Sequence, residues 1–167
     1  MAIDRTELMT LDNLPPAPTP EVQVQFNMLK QLALHPVGTF RLAFFPLPAD
    51  LRLHAKSSLL NMWQNEHKVQ SISILEFTQE LLDAIYKGTW ISDMKHYTDP
   101  EILIIDDLQY LSGKESTQES LFLSVLKPRL EKRCVTILFS EYGYAELSLA
   151  MRDDLRNLLR LSFHNPE

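Results

Sequence analysis

Glu101-Ile-Leu-Ile-Ile-Asp-Asp-Leu-Gln-Tyr-Leu111 joins a short apolar run to a pair of carboxylates. Residues 102–105 are apolar throughout and mostly β-branched. Such a run predicts a strand buried on both faces, as in the middle of a parallel sheet. Asp106 and Asp107 stand at its C-terminal end. Open α/β sheets bind their ligands at that end of the strands. A carboxylate there can hold a divalent cation; the plainer alternative is a strand that exits to solvent through two acids.

On either side of this stretch, strand and helix patterns alternate. Val22, Phe26, Leu29, Leu32 and Ala33 share one helical face, and Pro36 and Gly38 stop that helix. Residues 39–45 predict the first strand, residues 46–55 a loop, and the helix it enters runs to about 60. Residues 69–75 alternate and predict a second strand. A helix over 76–86 follows, with Phe77, Leu81, Leu82 and Ile85 inward and Gly88 ending it. A short helix over 91–97 precedes Asp99-Pro100, and residues 108–113 read as a turn. Residues 116–132 predict a helix, with Ser116 and Glu119 at capping-box spacing and Pro128 near its end. Residues 135–139 predict a strand, 145–158 a helix and 159–163 a last strand. The order predicts an α/β three-layer domain with a mostly parallel five-stranded sheet. Residues 1–20 read as a flexible tail, because Pro15, Pro16, Pro18 and Pro20 exclude a helix there. Residues 21–167 form the domain.

At 167 residues the chain is long enough for one real core, and 45% of it is hydrophobic. A net charge of −6 argues against broad duplex-DNA or acidic-membrane binding. The single cysteine, Cys134, excludes a disulfide framework within the chain. No apolar run approaches the ~20 residues of a membrane helix. Acids at Asp4 and Glu7 precede any apolar stretch, so no signal pattern opens the chain and a cytoplasmic location is expected.

Between the first strand and its helix, Lys56-Ser57 falls where a phosphate-binding loop would place its lysine and hydroxyl. The two glycines of that pattern fall on Asp50 and Ala55. Glycine lets backbone N–H groups curl around phosphate, and neither replacement has that freedom. Asp50 also brings a negative charge toward any phosphate. The plainer alternative is that Lys56 and Ser57 open a solvated helix.

From about Phe26 to Glu167 the chain resembles the AAA+ core of the bacterial replication initiator DnaA and of its shorter regulatory relative Hda. The strongest match runs from Ile102 through Asp106-Asp107-Leu-Gln-Tyr110 to Lys114-Glu115 and Gln118-Glu119. Glu76-Phe-Thr-Gln-Glu-Leu-Leu-Asp-Ala-Ile85 and Met94-Lys-His-Tyr97 resemble the helix pair that family inserts after its second strand. Leu138-Phe-Ser-Glu141 resembles the sensor-1 strand end, and Phe163-His-Asn-Pro-Glu167 the end of the core subdomain.

The resemblance implies a P-loop NTPase-like fold in which Asp106 coordinates Mg²⁺ when nucleotide binds and Asp107 takes the catalytic carboxylate position. Lys56, Ser57, Asp106 and Ser140 become vestigial nucleotide-binding positions. Arg152 and Arg156 fall in the helix that carries the family's arginine finger, the plainer alternative for each being an exposed helix charge. No lid or helix-turn-helix segment follows Glu167, so sensor-2 and duplex recognition are not implied. The expected function is a module without ATP turnover or cofactor that binds DnaA or another replication-initiation factor, a helicase or sliding clamp among them. Leu51, in the rebuilt loop with Leu47 and Leu53, is a candidate partner contact; the alternative is that these leucines fold inward. A second reading is single-stranded DNA binding through Lys95, His96 and Trp90, with Tyr86 and Tyr97 also available to stack and Thr78 at the family's apolar contact position. A third is an atypical ATPase using ATP and Mg²⁺.

Overall fold

The computed structural model describes residues 9–36, 41–111, 116–132, 134–141, 143, 153 and 156. Its elements are α1 (Pro20–Leu34), β1 (Leu42–Pro46), α2 (Ala49–Trp63), β2 (Val69–Ser73), α3 (Ile74–Lys87), α4 (Trp90–Thr98), β3 (Ile102–Asp106), α5 (Ser116–Glu131) and β4 (Val135–Ser140). Single 3₁₀ turns stand at Leu11–Asn13 and Leu108–Leu111. The described strands make one parallel sheet in the order β1-β4-β3-β2. The expected fifth strand at 159–163 and most of the helix over 145–158 lie outside the described residues.

Alternation along β3 divides the core. Leu103 and Ile105 join Phe77, Leu81, Tyr97 and Phe122 on the α3–α5 side. Ile102 and Ile104 join Phe26, Leu29, Leu59 and Trp63 on the α1–α2 side. The result is the three-layer arrangement predicted by the element order, and β3 and β4 are buried along their whole length.

Local chemistry sets the element ends. Thr19 caps α1 by accepting from Val22 N at 3.2 Å, and Pro20 occupies its first helical position. Ser73 ends β2 by accepting from Glu76 N at 3.3 Å, so Ile74 and Leu75 open a helix rather than extend the strand to 75. Gly88 closes α3 at φ 72°. The inward face of α3 is Ile74, Phe77, Leu81 and Ala84; Ile85 lies about 100° away from Ala84 and is exposed, against the expectation from sequence.

The expectation of a flexible tail is corrected for residues 9–19. Leu11 is buried, and Leu14 and Ala17 pack on the α1–α2 side of the core. Asn61 Nδ2 donates to Met9 O at 3.0 Å, and His54 Nε2 stands 2.9 Å from Thr10 O and 2.8 Å from Asn13 Oδ1. Prolines exclude an α-helix over residues 15–18, but they do not prevent the 3₁₀ turn at Leu11–Asn13 and the chain after it from burying their leucines.

A second arrangement had no signal in the sequence. Arg129, on α5, is fully buried and meets no carboxylate among the described residues. Its Nε donates to Thr136 Oγ1 (2.8 Å) and its Nη1 to Tyr97 O (2.9 Å) and Pro100 O (2.7 Å). Its Nη2 donates to Val135 O at 2.7 Å and reaches Glu101 O at 3.5 Å. Desolvation lowers its pKa to about 10, with Cys134 acting in the opposite sense, so it remains charged at neutral pH. One side chain thereby gathers the loop after α4 and the starts of β3 and β4.

Arg129→Met should destabilise the protein by at least about 3 kcal/mol, since several buried acceptors lose their donor at roughly 1 kcal/mol or more each. Urea denaturation measures this. A variant unfolding at the wild-type midpoint would show that the buried guanidinium contributes nothing net.

Candidate functional site

The site forms where β1, β3 and β4 end, and α2 determines its character. Residues 46–55 were expected to be a loop; instead α2 begins at Ala49, just after Pro48. Arg52 N already donates to Pro48 O at 2.9 Å. Asp50 lies in the first turn, where its charge suits the helix dipole. Ala-Asp-Leu-Arg-Leu-His-Ala-Lys is a run of mostly good helix formers, and with no glycine in it the helix wins over an open loop. From Arg52 onward the backbone N–H groups are turned along the helix axis and cannot curl around a phosphate.

Leucines in this segment divide by face. Leu47 is fully buried and Leu51 nearly so, both on the α1–α2 side of the core. Leu53 is 44% exposed. Leu51, expected as a partner contact, is therefore a core residue; Leu53 is the leucine that reaches solvent.

Opposite α2, β3 delivers Asp106, which is buried, and Asp107, which is half-buried. Asp107 adopts φ 62°, a conformation that aspartate tolerates better than most side chains. Its N–H donates to Asp106 Oδ1 at 2.7 Å. Arg52 and Lys56, one turn apart on α2, face this pair. Lys56 Nζ lies 3.1 Å from Asp106 Oδ2. Arg52 Nη2 lies 3.2 Å from Asp107 Oδ1. Arg52 Nε stands 3.2 Å from Asp106 Oδ1, a charge contact without hydrogen-bond alignment. Arg52 Nη1 donates to Leu47 O at 3.0 Å. Two acids thus face two bases. At an effective dielectric near 20 each close pair is worth about 4 kcal/mol of attraction, most of it offset by desolvating the charges.

Gln109 extends the network. Its Nε2 lies 3.4 Å from Asp107 Oδ1, and its Oε1 accepts from Glu141 N at 3.0 Å. Leu47 N donates to Ser140 O at 2.9 Å. The ends of β1, β3 and β4 are thereby tied together.

In this arrangement the positions a magnesium-bound nucleotide would use are taken by the protein's own groups. The guanidinium of Arg52 already lies against both carboxylates, the amides that would cradle phosphate are wound into α2, and Lys56 is engaged with Asp106. Of the nucleotide positions expected from sequence, Lys56 and Asp106 come together, with Asp107 beside them. Ser57 and Ser140 are buried. Sequence reasoning missed Arg52, whose signal was its four-residue spacing from Lys56, and Gln109, which lay unremarked within the matched run.

Other expected positions are dispersed. Lys95 and His96 are exposed on α4 beside a cleft of about 300 Å³ that Lys68 also lines. Trp90 is half-buried against the core, and Tyr97 is buried with its hydroxyl donating to Glu80, so Tyr97 is not free to stack on a base. Thr78 is buried and donates to Ile74 O at 3.0 Å. Tyr86, at 88% exposure, is the open aromatic of the helix pair. Arg156 is exposed at a helical position, and Arg152 lies outside the described residues. No helix among the described residues is long and apolar enough to cross a membrane.

Residues 50–161 match the family model for the bacterial DnaA ATPase domain. A chromosomal replication initiator protein DnaA from Synechococcus sp. (strain JA-2-3B'a(2-13)) is 46% identical over 55 residues, 33% of this chain and 12% of that relative. The AMPPCP-bound DnaA structure from Aquifex aeolicus superposes with a TM-score of 0.75 at 20% identity, over 90% of this chain and 48% of the other. The crystal structure of the DnaC helicase loader superposes at 0.72 with 15% identity, over 93% of this chain and 96% of the other. At these identities the superpositions establish the fold alone.

The two leucines of α2 should separate in mutagenesis. Leu51→Asp buries a charge and should destabilise the fold by more than about 3 kcal/mol, whereas Leu53→Asp should stay within ~0.5 kcal/mol of the wild type. Thermal unfolding of both variants checks this; equal effects would contradict the helical placement of residues 49–55.

Proposed function

Because the chain belongs to the bacterial DnaA ATPase-domain family, we propose that it acts in replication initiation or helicase loading by contacting another protein, without turning over ATP. One observation carries this reading: the segment that would cradle phosphate is the first two turns or so of α2. A helix that begins at Ala49 has spent its amides on its own backbone before Lys56 is reached. The partner is a DnaA-like neighbour or another initiation factor, such as the replicative helicase or the sliding clamp. The likeness in fold to a helicase loader supports the helicase-loading half of the reading.

The partner-facing chemistry on this reading is cationic. AAA+ modules assemble head to tail, and the face carrying Arg152 and Arg156 requires nothing of the module's own nucleotide site. An exposed Arg156 is suited to enter a neighbour's phosphate site, where a bidentate guanidinium is at its strongest.

Isothermal titration with Mg-ATP should show no binding tighter than about 1 mM, a free energy near −4 kcal/mol. A micromolar constant lost in Lys56→Ala would return the protein to the nucleotide-binding class. Arg152→Ala and Arg156→Ala together should weaken capture of ATP-loaded DnaA by about 2–5 kcal/mol, the usual cost of truncating a paired interfacial charge. Surface plasmon resonance measures it, and undiminished binding by the double variant would place the contact elsewhere.

A further inference from the structure

The geometry at the ends of β1, β3 and β4 points to Arg52 as a built-in cation: its guanidinium takes the place beside Asp106 and Asp107 that Mg²⁺ takes in P-loop proteins, and it makes the assembled form of this module independent of nucleotide. This inference rests on the reading of the module as one that does without ATP, and it adds what replaces the nucleotide.

Three observations converge on Arg52. Its side chain is 7% exposed, so its charge is withdrawn from water and must be met inside the protein. It is met on three sides, by Asp106 Oδ1 and Asp107 Oδ1 at 3.2 Å each and by Leu47 O at 3.0 Å. These partners belong to different strand ends: Asp106 closes β3 and Asp107 follows it, and Leu47 follows β1. A divalent ion in a phosphate site likewise gathers oxygens from separate segments. A planar fork can do this with two donated N–H groups and a charge contact along its Nε edge, whereas an ammonium acts as a point charge. Lys56 does only the latter, reaching Asp106 Oδ2.

The consequence for regulation follows from what the cation is attached to. A magnesium–nucleotide group arrives and leaves, and the strand ends it gathers can respond. Arg52 is part of α2, so the link from α2 through Asp107 and Gln109 to Glu141 N does not wait on a bound group. The ends of β3 and β4 are therefore tied to α2 without a hydrolysis cycle.

The test uses the whole 167-residue chain and compares wild type, Arg52→Ala, Arg52→Lys and the triple variant Arg52→Met/Asp106→Asn/Asp107→Asn. Thermal unfolding is followed with and without millimolar MgCl₂. Arg52→Ala should lower Tm by more than about 4 °C, and Arg52→Lys by less. Neutralising both acids should recover at least half of the loss, because a counterion is needed only while there is charge to counter. MgCl₂ should raise the Tm of Arg52→Ala and leave the wild type unchanged. If Arg52→Ala does not fold, recovery of a folded triple variant supports the built-in cation, and a triple variant that also fails to fold overturns it. An Arg52→Ala protein as stable as wild type overturns it too, as does a triple variant less stable than Arg52→Ala, since Arg52 would then act by packing alone. Titration of the wild type with Mg-ATP separates the two levels. Absence of binding together with an inert Arg52 sinks this inference and leaves the ATP-independent reading standing; micromolar binding with an Arg52→Ala loss recovered by acid neutralisation does the reverse.

Discussion

Two adjacent carboxylates at the end of a fully buried strand have to be compensated, and much of this molecule follows from how that is done. Leaving Asp106 and Asp107 uncompensated would combine desolvation with mutual repulsion, several kcal/mol for each ion. The compensation comes from Arg52 and Lys56, which can face the same target only if they are one turn apart on a helix. That requirement places the start of α2 before Arg52 and leaves only Leu47 and Pro48 between β1 and the helix. The helical geometry of α2 and the neutrality of the acid pair are thus one constraint seen from two sides. It also explains why Leu47 and Leu51 are turned into the core.

The interior of the sheet was readable from the sequence because its physics is local. β3 is apolar from Ile102 to Ile105 and β4 is apolar apart from Thr136 and its last residue, Ser140, and a parallel sheet is where such runs are buried. The edges and the site were less readable, each for a definite reason. β2 was read two residues too long, since Ile74 and Leu75 continue the alternation and only the Ser73 cap reveals the helix. Residues 46–55 were read as a loop because the phosphate-loop pattern and two prolines suggested one, although the helix-forming residues from Ala49 were visible. Arg52 lay in a variable position of that pattern, and its partners are about fifty residues away in the chain. Arg129 was hidden for the same reason: nothing in Lys127-Pro-Arg129 announces that five backbone and side-chain oxygens elsewhere converge on it.

Helix α2 is held from two directions. On one side its cations engage the acids of β3. On the other, Asn61 and His54 bind the backbone of Met9 and Thr10, and Leu11 is buried below them. A helix whose hydrophobic stripe is weak, with arginine and serines among its buried residues, would gain little from the core alone. Its position depends on polar contacts at both faces, which makes it the element of the fold most sensitive to charge.

The two buried guanidiniums also resolve an ambiguity in β3. The run Ile-Leu-Ile-Ile is apolar at every position, so hydrophobic pattern alone distinguishes poorly between the observed alignment with β4 and one slipped along the strand axis. A slip by one residue would swap the two buried faces and still put an apolar side chain in three of the four places. It would also pull Glu101 O and Pro100 O away from Arg129 at one end and carry both aspartates past Arg52 at the other. Hydrophobic burial makes β3 a strand, and two cations roughly one strand length apart act as end stops that select which residue faces which. The greasiest segment of the chain owes its uniqueness to its polar termini.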